Sequence, residues 1–304
     1  MCTEPLRTFS LHYRLKFGFT VGKIPLDVGL RCPNRNRGGC IFCDASSFRP
    51  HYLHSTGDIA AQIAAGKHHL LKNRFGHFFA YFQQETPTAA GSDKLLPLLA
   101  TALEDSGCVG LIISTRPDYL DTYLLEQIAS LVEFSKKECL IELGLQSVHD
   151  RSLTFLNRNH LFADFIDACK RLRCFDCFEV GAHLLFGIPG ESEDDMLETV
   201  TTVCALGVDS LKLHHLQVVR KTQLEEFYRC GSWRPFTSDE YRSLLLKILP
   251  HIPAEVVLHR LWATTHPYLL VAPRWNMLAT QLSSELRREM QRRGIHQGMA
   301  VSGC

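Results

Sequence analysis

Three cysteines fall close together at Cys32, Cys40 and Cys43, inside the stretch GLRCPNRNRGGCIFCDASSFR that runs from Gly29 to Arg49. Pro33, Gly38 and Gly39 lie between the first thiol and the second, and glycine lets a backbone fold tightly enough for separate thiolates to reach one metal centre. Four cysteines normally close a four-iron cluster, so a loop that offers three leaves one iron open as a reaction site. A CxxC with one upstream cysteine also suits zinc. These residues alone therefore allow two chemistries: an iron–sulfur centre with an open iron, or a non-catalytic metal site of redox or structural use.

The elements that must position the thiols are legible from the apolar pattern. Ile24 to Leu30 reads as a buried strand feeding the cysteine loop. After the helix-start cluster Ser55-Thr56-Gly57-Asp58, Ile59 to Leu71 has helical spacing, and the aromatic run Phe78 to Phe82 is strand-like. The alternation continues with helix Asp93 to Leu103, strand Val109 to Ser114, helix Leu124 to Phe134, strand Leu140 to Leu145, helix Leu161 to Leu172, strand Phe178 to Phe186, helix Asp194 to Leu206 and strand Ser210 to Leu213. Strands alternating with helices of this length predict right-handed crossovers and a parallel sheet, and six of them make a partial or full (β/α) barrel of the TIM type. From Thr222 the rhythm breaks: helices at Leu224 to Cys230 and Asp239 to Leu249, a strand-like Val256 to Leu258, and a helix from Leu278 to Arg293. The expected organisation is a preface over 1–24, a barrel core over 25–221 and a C-terminal cap over 222–304.

In such a barrel, function collects on the loops after the carboxyl ends of the strands. The distinctive residues lie there: the three cysteines, Gln83 and Thr86, Arg116 and Asp118, Gln146, Glu191 and His214. Glu142 shares the period-two face of Gln146, and Lys212 shares that of His214, so both read as inward-facing. A second arrangement, Cys169, Cys174 and Cys177, sits between a helix and the next strand, at the opposite end of the barrel, and reads as structural thiols. Cys2, Cys108, Cys139, Cys204, Cys230 and Cys304 are isolated.

The bulk composition is that of a globular chain: 304 residues, 45% hydrophobic and 21% charged. Its 33 basic residues against 32 acidic give no basic field of the kind that announces nucleic-acid binding. The first twenty residues show no signal peptide or membrane anchor, and no window reaches transmembrane length. The expected location is the cytoplasm, where cysteines are free thiols or metal ligands.

Seven motifs in order, RCPNR...GGCIFC, YFQQETPT, STRPDYL, ELGLQSVHDRSL, HLLFGIPGE, DSLKLHHLQVVRKT and LHR, resemble the YhcC-like radical S-adenosylmethionine (radical SAM) proteins, relatives of the Elongator catalytic subunit. The likeness runs nearly end to end. It departs from the superfamily's usual CxxxCxxC, since seven residues separate Cys32 from Cys40. Gln83-Gln84-Glu85-Thr86 stands where the superfamily carries its GGE segment.

The resemblance implies a [4Fe-4S] cluster on Cys32, Cys40 and Cys43, with S-adenosylmethionine on the open iron. One electron would cleave it to a 5'-deoxyadenosyl radical that takes a hydrogen atom from a substrate. Phe42 would lie beside the adenine, Gln146 near the ribose, and Ile188 and Gly190 would form the adenine-side loop. An electron donor such as flavodoxin or ferredoxin is implied as a partner, and the Elongator relationship makes tRNA a conceivable substrate. Arg287-Arg288 with Arg292-Arg293 form a basic helical stripe that reads first as a solvated face. His149, Asp150, His214, His215, His259, Arg260, Trp262 and Trp275 are candidate substrate contacts.

Overall fold

The computed structural model describes residues 4–47, 49–54, 58–72 and 75–301. Cys2, Cys304 and the helix-start residues Ser55 to Gly57 lie outside the described residues. The chain opens with helix α1 (Phe9–Phe17) and strand β1 (Val21–Leu26), then alternates through α2 (Ile59–Gly66), β2 (His77–Phe82), α3 (Ser92–Glu104), β3 (Cys108–Thr115), α4 (Thr122–Ser135) and β4 (Glu138–Gln146). Two helices, α5 (Asp150–Phe155) and α6 (Phe162–Leu172), lead to β5 (Phe178–Phe186), followed by α7 (Glu193–Ala205) and β6 (Ser210–His215). The remainder holds β7 (Val218–Val219), α8 (Gln223–Arg229), α9 (Ser238–Ile248), β8 (Val257–Arg260), β9 (Leu270–Ala272) and α10 (Ala279–Arg293).

Seven strands form one parallel sheet in the order β1-β2-β3-β4-β5-β6-β8, curled into a partial barrel. The strands are largely buried on both faces, as parallel strands covered by helices outside and side chains inside must be. In β2 every residue from Phe78 to Phe82 is buried, and in β4 every residue from Cys139 to Gln146. Helix starts follow capping chemistry: Asp121 accepts from Leu124 N, and Ser192 with Asp195, and Thr237 with Glu240, form reciprocal capping boxes.

The pattern reading differs from the structure in two places that matter for the site. The apolar run through Leu30 is not all strand, because Asp27 turns the chain: its carboxylate accepts from Gly29 N (2.8 Å) while Gln62 bonds its backbone on both sides. The strand-like segment near Val256, read as part of the cap, supplies the seventh barrel strand, pairing in parallel with β6.

Helix α1 closes the bottom of the barrel. Phe9 and Tyr13 pack with Val21, Phe79, Tyr81, Ile112 and Leu140 in a separate apolar cluster. The Tyr13 hydroxyl donates to Glu179 (3.0 Å), and Leu258 N donates to Arg7 O (2.8 Å), tying the start of the chain to the seventh strand. Among the described residues no helix is long and apolar enough to cross a membrane.

Candidate active site

The cysteine loop is held from two sides. Pro33–Arg37 form one 3-10 turn that ends at Gly38, and Gly38 and Gly39 both take positive φ (90° and 73°), a conformation that favours glycine. The Asn157 amide donates to the carbonyls of Arg37 (3.1 Å) and Gly39 (2.6 Å). Ile41 N donates to Leu156 O, and Ile41 O accepts from Leu224 N, so the loop is strapped between α5 and α8.

Cys32, Cys40 and Cys43 line one cavity of about 250 Å³ at the mouth of the barrel. Each sulfur meets a donor: Thr86 Oγ1 stands 3.1 Å from Cys32 Sγ, Asn34 Nδ2 and Arg158 Nη1 stand 3.2 and 3.3 Å from Cys40 Sγ, and Arg35 Nη2 stands 3.8 Å from Cys43 Sγ. Burial and the neighbouring Cys40 push the Cys43 thiol up to about 12, against the pull of Arg35. A metal centre supplies the positive charge that makes such thiols ligands. Three sulfurs facing one cavity, all supplied with hydrogen-bond donors, and no fourth cysteine on the cavity wall among the described residues, fit a cluster with one open iron.

Glu85 stands in the place of the GGE segment, at positive φ (57°). Its carboxylate accepts from Cys32 N (3.0 Å) and from Arg35 Nε (3.0 Å), which ties the exit of β2 to the cysteine loop. It also lines the cavity.

Below the mouth lies a buried polar layer. Glu142, 1% exposed, accepts from Lys212 Nζ (2.5 Å) and contacts His183 Nε2 (3.0 Å) and His259 Nδ1 (3.1 Å). Lys212 also donates to the Tyr81 hydroxyl, and Lys23 reaches His259 Nδ1 (3.1 Å). Burial alone would raise the Glu142 pKa, but the Lys212 charge and the two histidines outweigh it and hold the carboxyl well below its usual range. Burial draws Lys212 down to about 8 in spite of Glu142, and draws Lys23 well below the usual lysine range. His183 is lowered to about 4 and His259 to about 3, first by burial and then by the nearby lysines, so both are neutral imidazoles.

The structure separates the residues singled out from sequence. Phe42 and Gln146, the latter at positive φ (87°), line the cavity with Gln83, Thr86, Arg116, Lys212, His214, His215 and Arg260. Ile188 is buried in an apolar cluster that also takes in Phe42, while Gly190 (φ 88°) is exposed; neither is on the cavity wall. Arg116 is saturated by Asp118 and by the carbonyls of Arg158 and Asn159, so Glu142 pairs Lys212 instead. His149 points to Asp195, Asp150 caps Phe162 N, and Glu191 accepts from Ser147, all away from the cavity. Trp262 is buried and donates to Ser283, and Trp275 donates to Phe236 O and stacks on His215 at 4.0 Å. These tryptophans brace the site. Cys174 is exposed after α6, and Cys169 is buried within it.

Sequence reasoning missed Lys23, Tyr81, Asn34, Arg158 and His183. The period-two face that gives Glu142 and Lys212 also gives Tyr81 on β2 and His183 on β5. Nothing local marks Arg158, whose guanidinium reaches Cys40 from a loop with positive φ at Asn157 and Asn159.

Residues 27–203 match the Radical SAM superfamily and residues 208–292 the Radical_SAM C-terminal domain. The protein MJ0486 of Methanocaldococcus jannaschii is 33% identical over 298 residues, covering 95% of this chain and 90% of its own. Protein YhcC of Escherichia coli is 32% identical over 290 residues, covering 94% and 92%. A tRNA uridine(34) acetyltransferase of Methanocaldococcus infernus is 30% identical over 136 residues, 44% of this chain and 24% of its own. The solved structure of archaeal Elp3 from the same organism, lacking its N-terminus, superposes with a TM-score of 0.67 at 19% identity, covering 91% of this chain and 64% of that one.

Proposed function

Because the chain belongs to the radical SAM superfamily, in the family that includes MJ0486 and YhcC, we propose that the substrate it acts on is a nucleoside of RNA, with tRNA the first class to test. The protein is a radical SAM enzyme that uses a [4Fe-4S] cluster and S-adenosylmethionine. Cys32, Cys40 and Cys43 would hold the cluster, and the chemistry supplied there is reductive cleavage of S-adenosylmethionine coupled to removal of a hydrogen atom from the substrate.

The chain's own residues orient and shield. Asn34, Thr86, Arg35 and Arg158 direct donors at the thiolates, while Glu85 fixes the cysteine loop against the second strand. In the proposed arrangement Phe42 and Gln146 flank the cofactor from the cavity wall, and Ile188 and Gly190 shape the loop behind Phe42. The polar layer around Glu142 forms the floor beneath the reacting atoms, and α1 seals that floor from solvent, as radical chemistry requires. An electron donor of the flavodoxin or ferredoxin kind completes the system. Cytoplasmic location agrees with the reduced thiols that the site needs.

The observation that carries the RNA reading is the likeness of 136 residues of the chain to a tRNA uridine(34) acetyltransferase. A second reading, a small metabolite, is favoured by the state of the arginine stripe. Arg292 and Arg293 share the Glu289 carboxylate, and Arg287 lies 3.8 Å from Glu4, so part of the stripe's charge is taken up within the protein. Reconstituted enzyme should be incubated anaerobically with undermodified cellular tRNA and, separately, with small-metabolite extract, measuring 5'-deoxyadenosine. The RNA reading expects tRNA to raise the yield and to bind with a marked salt dependence; a rise with the metabolite pool alone would reject it.

A further inference from the structure

The charges that line the cavity do not balance. Arg116 is satisfied by Asp118, Glu85 by Arg35, and Lys212 by Glu142 beneath the floor. Arg158 spends its guanidinium on Gly144 O, His160 and Cys40. Arg260 is different. It lines the cavity at the end of β8, yet its side chain makes no hydrogen bond or ion pair among the described residues. Its backbone lies in register with Lys212, which in turn faces His183 on β5.

His214 adds a second opening. It lines the same cavity, and its Nε2 is buried without a hydrogen-bond partner. Burial, then Arg260, His183 and Lys212, hold His214 well below the usual imidazole pKa, so it is neutral and able to donate one N–H. The buried His214 nitrogen is costly without an acceptor, and the Arg260 guanidinium lining the same cavity of about 250 Å³ has no carboxylate partner among the described residues, so both are free to take an incoming anion.

We propose that Arg260, assisted by His214, binds an oxyanion of the substrate, a carboxylate or a phosphate, and so fixes the substrate in the cavity beneath the cysteine loop. This rests on the reading that substrate enters that cavity. A guanidinium presents parallel N–H groups that match two anionic oxygens at once, and the low-dielectric floor strengthens the contact. The Glu142 carboxylate does not compete, since its oxygens are taken by Lys212, His183 and His259.

The test uses the reconstituted holoprotein at fixed ionic strength, with inorganic phosphate and, separately, acetate as probes, and calorimetry for affinity. Wild type is expected to bind one anion per chain. Arg260→Gln should weaken that binding by about tenfold or more, the loss expected for a charged hydrogen-bonded contact. Arg260→Lys, which keeps the charge but loses the fork, should fall between them, and it serves if the glutamine variant does not fold. Arg292→Gln, on the outer stripe, should match wild type. Preference for phosphate over acetate assigns a phosphorylated substrate, and the reverse assigns a carboxylate. Equal anion binding by wild type and Arg260→Gln overturns the proposal, as does a fall in S-adenosylmethionine affinity in that variant, which would assign Arg260 to the cofactor. Failure of wild type to cleave S-adenosylmethionine, with anion binding intact, would sink the enzymatic reading and leave the anion site standing.

Discussion

The Lys212 ammonium on the sixth strand stands 2.5 Å from the Glu142 carboxylate on the fourth, and both side chains are almost wholly buried, at 3% and 1% exposure. The pair spans a strand: β5 lies between its two members, and His183 on β5 joins the same carboxylate. Removing one member leaves the other buried without its counter-charge, so that it must either stay charged uncompensated or change its protonation at a cost in stability. Glu142→Gln should therefore destabilise the apoprotein by about 3–5 kcal/mol, read from the urea midpoint. The double variant Glu142→Gln/Lys212→Met should recover much of that loss. A double variant as unstable as the sum of its single changes would show that the pair does not act as a unit.

Alanine at Cys32, Cys40 or Cys43 should abolish the cluster, since two thiolates cannot hold three irons. Cys174→Ala and Cys177→Ala should leave iron content near wild type, because Cys174 is exposed at the far end of the barrel. Iron and sulfide analysis after anaerobic reconstitution decides between them; equal loss in both sets contradicts the assignment.

Thr86→Val keeps the volume of the side chain and removes the hydroxyl that stands 3.1 Å from Cys32 Sγ. Donors to cluster sulfurs stabilise the added electron, so the variant's reduction potential should move to more negative values, by tens of millivolts, with iron content unchanged. A redox titration followed by electron paramagnetic resonance measures the shift. No movement would mean that this hydroxyl does not tune the cluster.

His160 and His215 are buried neutral imidazoles, each lowered to about 3 chiefly by burial. In the unfolded chain they titrate near the ordinary histidine value of about 6.5, so below that pH the unfolded state binds more protons. The stability they contribute is complete above about pH 6.5 and is lost as pH falls toward 3. Urea midpoints should already decline between about pH 6.5 and 5.5, before carboxylates titrate, and His215→Gln should flatten part of that slope. A flat profile in wild type would contradict the burial of these rings.

Much of the site was legible because periodicity is local. The cysteine loop and the exits at Gln83, Thr86, Arg116 and Gln146 follow from where strands stop, and the period-two face placed Glu142 and Lys212 inward before their pairing was visible. What escaped depends on register between strands far apart in the chain. Lys23 lies in the segment read as a preface, yet it meets His259 from the segment read as a cap, and only the curl of the sheet brings them within 3.1 Å. The seventh strand is legible as strand-like at Val256 to Leu258, but its place in the barrel is not, since four residues, Val257–Arg260, do not say which sheet edge they join until β6 offers one. The tryptophans show the limit of a residue type: Trp262 and Trp275 are not on the wall of the cysteine cavity but line a neighbouring hollow that shares His215 and Gln217 with it.

The clasp between the two ends of the chain sets a timetable for biogenesis. Leu258 N bonds Arg7 O, Gln297 N bonds Pro5 O, and Gln297 Oε1 accepts from Arg7 N, so the barrel bottom is completed by residues synthesised long after the cysteine loop. The cysteine loop emerges more than two hundred residues earlier. Until those later residues are made, its thiols stand beside an unfinished floor, open to metal delivery and to oxidant alike.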